Sequence, residues 1–331
     1  MSRRALLCAC VGVLAAAGLS GLFDRAGADA SSAEAVHMIE RMRDAPSALR
    51  FAATVRVTWR DRGATNDMVV HVTDDMGVLE VDSGAARVFD RGTHTYFKNE
   101  LGWSSALVEP DRGASPSPDH RWRLAVSRGQ PIAGRPTQLV EAVRADGTPA
   151  QRLFLDTQTG MVLRREVLDG RGRVQRSLEF VDLTLGAVSA PQAPSGVTTH
   201  EATALPSVPS GYEAPRAVAG YVLVAQSRHP NGVEFVYSDG MFAASVLEQR
   251  GDLDWDALPA HGTATDVEGT RARRYSDASA DVVMFEHDGT VFTLVTDAPP
   301  DSVATLVDGL TPDRGTAEQV VDFVLGPFGW N

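Results

Sequence analysis

The stretch Arg50–Arg60, RFAATVRVTWR, alternates along its length: Phe51, Ala53, Val55, Val57 and Trp59 fall on one face, and Arg50, Thr54, Arg56, Thr58 and Arg60 on the other. A period of two held this long is a β-strand with one face in a core and the other in water. Such a strand needs neighbours, because alone it leaves its backbone N–H and C=O groups unpaired. Neighbours follow at Asp67–Thr73, Gly77–Asp82, Ala86–Asp90, Thr93–Lys98 and Arg121–Val126, separated by Gly/Asp turns such as DDMG and DRGT. After the Pro/Ser-rich loop EPDRGASPSPDH (Glu109–His120), strands resume in TQLVEAVRA and QRLFLDTQTGMVLRREVLDGRGRVQRSLEFVDLTLG, where Asp156–Gly160 and Asp169–Arg173 supply hairpin turns. The loop reads as a surface connection, with a mobile lid as the alternative.

Ahead of the first strand, SSAEAVHMIERMRDA sets Ser31 three residues before Glu34, the capping-box spacing, and brings Val36, Ile39 and Met42 with Ala35 and Met38 to one helical face. Pro46 is expected to end this helix. A short amphipathic helix followed by a meander of long strands predicts a strongly curved or barrel-like sheet with the helix on its concave side.

Residues 188–208 lie in a Pro/Ala/Ser-rich stretch with no periodic apolar face and read as a linker between a domain at 31–187 and a second at 209–331. The second half predicts strands at Val222–Ser227, Gly232–Ser238, Phe242–Glu248, Thr270–Ser276, Asp281–His287 and Thr290–Thr296. A helix follows in PPDSVATLVDGL, with Pro300 near its first position, and another at Thr316–Leu325. The fold class is therefore α+β, mainly antiparallel β.

Residues 1–30 read as an export signal: Arg3 and Arg4 precede an uncharged stretch, Ala5–Phe23, and an Ala28-Asp29-Ala30 cleavage site. That stretch approaches the ~20 residues that span a bilayer, so an uncleaved signal anchor is the alternative. Both cysteines, Cys8 and Cys10, lie inside it, which leaves the exported chain without disulfides or thiol chemistry. A net charge of -12 with Lys98 the sole lysine argues against a nucleic-acid footprint.

The search for chemistry returns little. Ser238 in VYSDGMF lacks the Gly-x-Ser-x-Gly elbow and is followed by a strand, so Ser238-Asp239-Gly240 reads as a hairpin turn. The histidines are scattered singly, DLDWD (Asp252–Asp256) lacks the glycine and twelfth-position acid of a calcium loop, and no phosphate or dinucleotide loop is visible. No catalytic residue, metal or cofactor is expected. The feature left is the inner face of the curved sheet: Ile39, Met42, Val55, Val57, Trp59, Met68, Val70 and Val72 are candidate walls of an apolar cavity, or members of an ordinary packed core.

Three blocks of the first half, IAGRPTQLV (Ile132–Val140), RLFLDTQTGMVLR (Arg152–Arg164) and FVDLTLG (Phe180–Gly186), resemble the N-terminal domain of the RseB/MucB family of sigma-E regulators. In the second half, VPSGYEAP (with Tyr212 for the family's Phe) and VYSDGMFAASVL (Val236–Leu247) resemble its C-terminal domain. The resemblance implies a LolA/LolB-like half-open barrel with an apolar interior, joined to a smaller α+β domain. It further implies a non-catalytic periplasmic protein that binds the extracytoplasmic region of a membrane anti-sigma factor and senses an acyl-chain or lipid ligand. A LolA-type lipid or lipoprotein carrier is the competing reading; it would bind acyl chains with no such partner.

Overall fold

The computed structural model describes residues 30–310, apart from 85–86, 91–93, 100–101, 108–115, 187, 193–197, 202, 206, 213, 230–231, 268 and 279. The export segment with both cysteines, the Ser31 side chain, most of the 109–120 loop and the helix expected at Thr316–Leu325 lie outside the described residues.

Helix α1 (Ala30–Ala48) runs past Pro46, which was expected to end it. In the last turn a proline gives up only one backbone bond, so the helix continues until the chain turns into the first strand. Strands β1 (Arg50–Asp61) and β2 (Ala64–Asp75) pair along their whole length. Their two-residue connection, Arg62 at φ 50 and Gly63 at φ 81, has the backbone twist that matches the strands.

Strands β3 (Leu79–Asp82), β4 (Arg87–Asp90), β5 (His94–Asn99) and β6 (Gly102–Leu107) continue the sheet on the β2 side. On the β1 side come β11 (Val174–Leu185), β10 (Val162–Leu168), β9 (Pro149–Asp156), β8 (Thr137–Val143) and β7 (Arg123–Arg128). With β12 (Thr198–Glu201) at the far edge the sheet has 12 strands in the order β12-β6-β5-β4-β3-β2-β1-β11-β10-β9-β8-β7. It ends in β12 and β7 and does not close into a barrel. Helix α1 packs against β7, placing Ala35, Met38 and Ile39 in the core.

A second sheet of 9 strands holds β13 (Thr203–Ala204), β14 (Ala217–Val218), β15 (Tyr221–His229), β16 (Gly232–Ser238), β17 (Ala243–Arg250), β18 (Thr263–Val267), β19 (Thr270–Ser276), β20 (Asp281–His287) and β21 (Thr290–Thr296). Helix α2 (Pro300–Leu310) begins at its proline and buries Val303, Leu306, Val307 and Leu310, the three-and-four spacing of one helical face.

The Pro/Ala/Ser-rich stretch is tied to both sheets. Its β12 pairs parallel with β6, and one residue later β13 pairs antiparallel with β15. The two sheets also share a core, because one buried cluster takes in Met38, Ile39, Trp122, Leu124, Val140 and Leu153 from the first and Tyr221, Phe235, Phe242 and Phe285 from the second. Burying apolar area from both sides in one cluster stabilises their docking at about 25 cal/mol per Å² removed from water.

Candidate binding site

The inner face of the first sheet is laid out by register. Across β2, β1 and β11, Val70, Val55 and Phe180 form one rank; Met68, Val57 and Leu178 the next; and Asn66, Trp59 and Arg176 a third. The strip therefore runs from wholly apolar to polar along the strand direction. Val55, Val57, Val70 and Phe180 are buried in one cluster with Phe51, Ala53, Leu163 and Ala45 of α1, and Met68, Val72 and Leu178 pack partly buried against it. Phe51 and Phe180 set their rings 6.2 Å apart.

Of the residues expected to line a cavity, the structure brings Val55, Val57, Met68, Val70 and Val72 together in this cluster. Trp59 stands at its end, half-buried, next to Val57 on the same face. Ile39 and Met42 go elsewhere: Ile39 is buried in, and Met42 packs against, the cluster that both sheets share. A 3.6-residue helix can present Ala45 to one cluster and Ile39 to the other because they lie on different parts of its circumference.

Where the sheets meet, the Ser238-Asp239-Gly240 turn is the docking point. Asp239 is 1% exposed and its Oδ1 accepts from the backbone N–H of Met241 at 2.9 Å and Phe242 at 2.8 Å, which makes the turn. Its Oδ2 accepts from Trp122 Nε1 at 3.1 Å and lies 3.4 Å from Arg121 Nη1. Arg121 also donates to the Ala219 carbonyl at 2.6 Å and lies over the Tyr221 ring at 4.5 Å. The Gly240 carbonyl accepts from Arg43 Nη2 of α1 at 2.8 Å. Ser238 spends its hydroxyl inside the turn, donating to the Phe242 carbonyl at 3.2 Å and accepting from the Gly240 N–H at 3.1 Å. No base is placed to activate it by these contacts.

Among the described residues, four ion pairs cross this seam, each with its arginine on the first sheet's side and its aspartate on the second's: Arg121–Asp239 at 3.4 Å, Arg144–Asp301 at 3.1 Å, Arg165–Asp297 at 2.5 Å and Arg176–Asp281 at 2.5 Å. Asp281 is fully buried and also takes Arg274 Nη2 at 2.9 Å. Burial alone would push its carboxyl up, but Arg176 and Arg274 outweigh that and hold it below the ordinary aspartate range. Asp239 goes the other way: burial raises it, against the opposing backbone N–H groups and Arg121.

Sequence reasoning passed over these arginines. The available signal was phase: Arg176 shares its face with Leu178 and Phe180, so its alternation places a cation where the apolar residues point. Among the described residues no group of three or more His, Cys, Asp or Glu is placed to hold a metal, and no helix is long and apolar enough to cross a membrane.

A family model described as the MucB/RseB N-terminal domain matches residues 34–205. No curated protein matches the chain. Among solved structures, the chain is similar to MucB at 17% identity, covering 85% of this chain and 98% of that one with a TM-score of 0.48. It is similar to the MucA/MucB complex of Pseudomonas aeruginosa at 17% identity, covering 84% and 97% with a TM-score of 0.47. A LolA superfamily protein from Nitrosomonas europaea aligns at 8% identity over 84% of this chain and 98% of that one, with a TM-score of 0.20.

Proposed function

The chain belongs to the MucB/RseB family, and from that premise we propose that it is a non-catalytic regulatory protein of the extracytoplasmic envelope that binds the periplasmic region of a membrane anti-sigma factor. The observation that carries this reading is the family match over residues 34–205, more than half of the chain. MucB itself has been crystallised in complex with MucA(peri), which names the kind of partner to test. The apolar strip of Val55, Val57, Met68, Val70 and Phe180 is proposed as the wall against which an acyl chain would lie, with Trp59 at its end. Trp59 is half-buried and Met68, in the adjoining rank, is only partly covered, which supports access from the Trp59 end of the strip.

A carrier of the LolA type would need only the first sheet. Here, among the described residues, the second sheet shares a core with it and is held by four ion pairs, those of Asp239, Asp281 and Asp297 buried or half-buried and that of Asp301 exposed, which favours a two-part regulator.

The test is direct. The exported chain, freed of residues 1–30, is titrated with the extracytoplasmic segment of an anti-sigma factor expressed with it. Binding in the micromolar range or tighter is expected, and its absence there would sink the regulatory reading. A fluorescent fatty acid tests the strip: Val57→Asp places a charge in its middle and should abolish the signal, and Trp59→Ala should weaken it.

A further inference from the structure

The polar end of the strip carries an observation that the seam does not account for. Arg176 is 7% exposed, and its guanidinium is used unevenly: Nε donates to the Asp277 carbonyl at 3.2 Å and Nη2 meets Asp281 at 2.5 Å, while Nη1 is buried with no hydrogen-bond partner. An unpaired N–H on a buried cation is costly, and an anionic oxygen satisfies it best. At Asp281 two guanidiniums, those of Arg176 and Arg274, already meet one carboxylate. The Asp277 carboxylate is engaged with the Ala280 N–H at 3.1 Å.

Arg176 also has a fixed place relative to the apolar ranks. It lies directly across from Trp59, one rank beyond Val57 and Leu178 on the same face. A side chain or ligand with an apolar body over those ranks would bring its head to the guanidinium.

Resting on the acyl-chain reading above, we infer that Arg176 is the headgroup subsite of the strip: it takes the carboxylate or phosphate of a single-chain anionic amphiphile through Nη1, with Trp59 as the side chain that yields to admit it. Because Nη1 is buried on the same guanidinium that meets Asp281, the incoming anion lies beside Asp281 and competes with it. Occupancy of the subsite therefore loosens one of the ties between the sheets.

The experiment compares dodecanoate with dodecanol, two ligands of equal chain length that differ in charge, and adds acetate and inorganic phosphate as anions without a chain. Binding is followed by calorimetry and by tryptophan fluorescence, on the exported chain and on Arg176→Gln. Dodecanoate is expected to bind about tenfold or more tightly than dodecanol, the effect of a charge-assisted hydrogen bond. That preference should collapse in Arg176→Gln, and acetate and phosphate should not bind at the same concentrations. Equal binding of the two chains, or a preference that survives Arg176→Gln, overturns the subsite. Acetate or phosphate binding as tightly as dodecanoate also overturns it, in favour of a free-anion site. If neither chain binds, the acyl-chain reading itself fails and the subsite with it, a result distinct from equal binding. Should Arg176→Gln not fold, the comparison on the unaltered chain and on Arg176→Lys, which keeps the charge and should keep the preference, decides the matter.

Discussion

Trp122 and Asp239, 117 residues apart in the chain, meet across the two sheets at 3.1 Å, the indole N–H donating to Oδ2. The contact makes a local turn into a long-range fastening: the same carboxylate that shapes the turn with one oxygen receives the other sheet with the second. Trp122 adds an edge-on contact to Phe242, with ring centroids 5.6 Å apart.

Asp239→Ala should therefore cost far more than Ser238→Ala. The first strands the Trp122 indole, two backbone N–H groups and the charge of Arg121, and is expected to cost about 3–5 kcal/mol. The second removes two hydrogen bonds inside the turn and should cost about 1 kcal/mol. Urea unfolding of both variants checks this; equal losses would show that the carboxylate does not fasten the sheets.

Gly240 combines a φ of 88 with a site where an added Cβ would come within 2.5 Å of the Pro116 carbonyl oxygen and 2.8 Å of Pro118 N. Gly240→Ala should destabilise by roughly 2–3 kcal/mol through strain and forced separation from that segment. Gly134→Ala, at φ 72 with nothing within 4 Å, carries the conformational strain alone and should cost less. Thermal unfolding of the pair separates the two contributions.

Asp74 is buried, accepts the Gly77 N–H at 2.8 Å, and is pushed up to about 6, by burial first and by Asp75 and Asp90 after the opposing Gly77 bond. A raised carboxyl favours the folded state while protonated, so its stabilisation is present below the unfolded value near 4 and is lost as pH rises through about 6. Asp74→Asn keeps an acceptor for Gly77 without the charge. It should raise the melting temperature at pH 7.5 and leave it nearly unchanged at pH 4; a loss at pH 7.5 would count against the assignment.

On the second sheet, His229 Nε2 lies 2.9 Å from Glu234 Oε2, while Ser245 donates to Glu234 Oε1 at 2.6 Å and Ser227 to Oε2 at 3.1 Å. The Glu234 partner raises His229 against burial, and Glu234 is held at about 2 because His229 and the two serines outweigh its burial. The histidine's share of stability is full below its unfolded value near 6.5 and is lost as pH rises through its raised folded value. Glu234's share is present above its unfolded value near 4.5 and is lost as pH falls toward 2. His229→Gln should thus lose up to about 1 kcal/mol at pH 5.5 and less at pH 9. A loss independent of pH would mean that the ring acts by packing alone.

Much of the fold was legible in single elements. The alternation of Arg50–Arg60 identified β1 and its buried face, Gly232–Ser238 was placed at its observed bounds, and α2 starts at Pro300 as its sequence indicated. Strands β6, β12, β13, β14 and β18 were missed, and each is short or low in β-branched apolar residues; β12 and β13 hide in a stretch whose composition reads as linker. Their pairing comes from neighbouring edges that need partners, not from their own propensity.

What the sequence by itself determined is the longer elements and their buried faces, because periodicity is a local property and a strand's two faces are set by parity. It also identified Ser238-Asp239-Gly240 as a turn, since glycine after aspartate is a local conformational signal. Only the tertiary structure decided what that turn is for, and that Ile39 and Met42 join the core between the sheets while Val55, Val57 and Val70 line the strip. The same holds for the seam arginines. An arginine in phase with apolar residues is an anomaly in sequence, and it becomes a tie between sheets only when a carboxylate 105 residues away, Asp281 opposite Arg176, is folded to within 2.5 Å of it. Such a buried pair depends on desolvation and mutual geometry together, and neither exists before the two sheets dock.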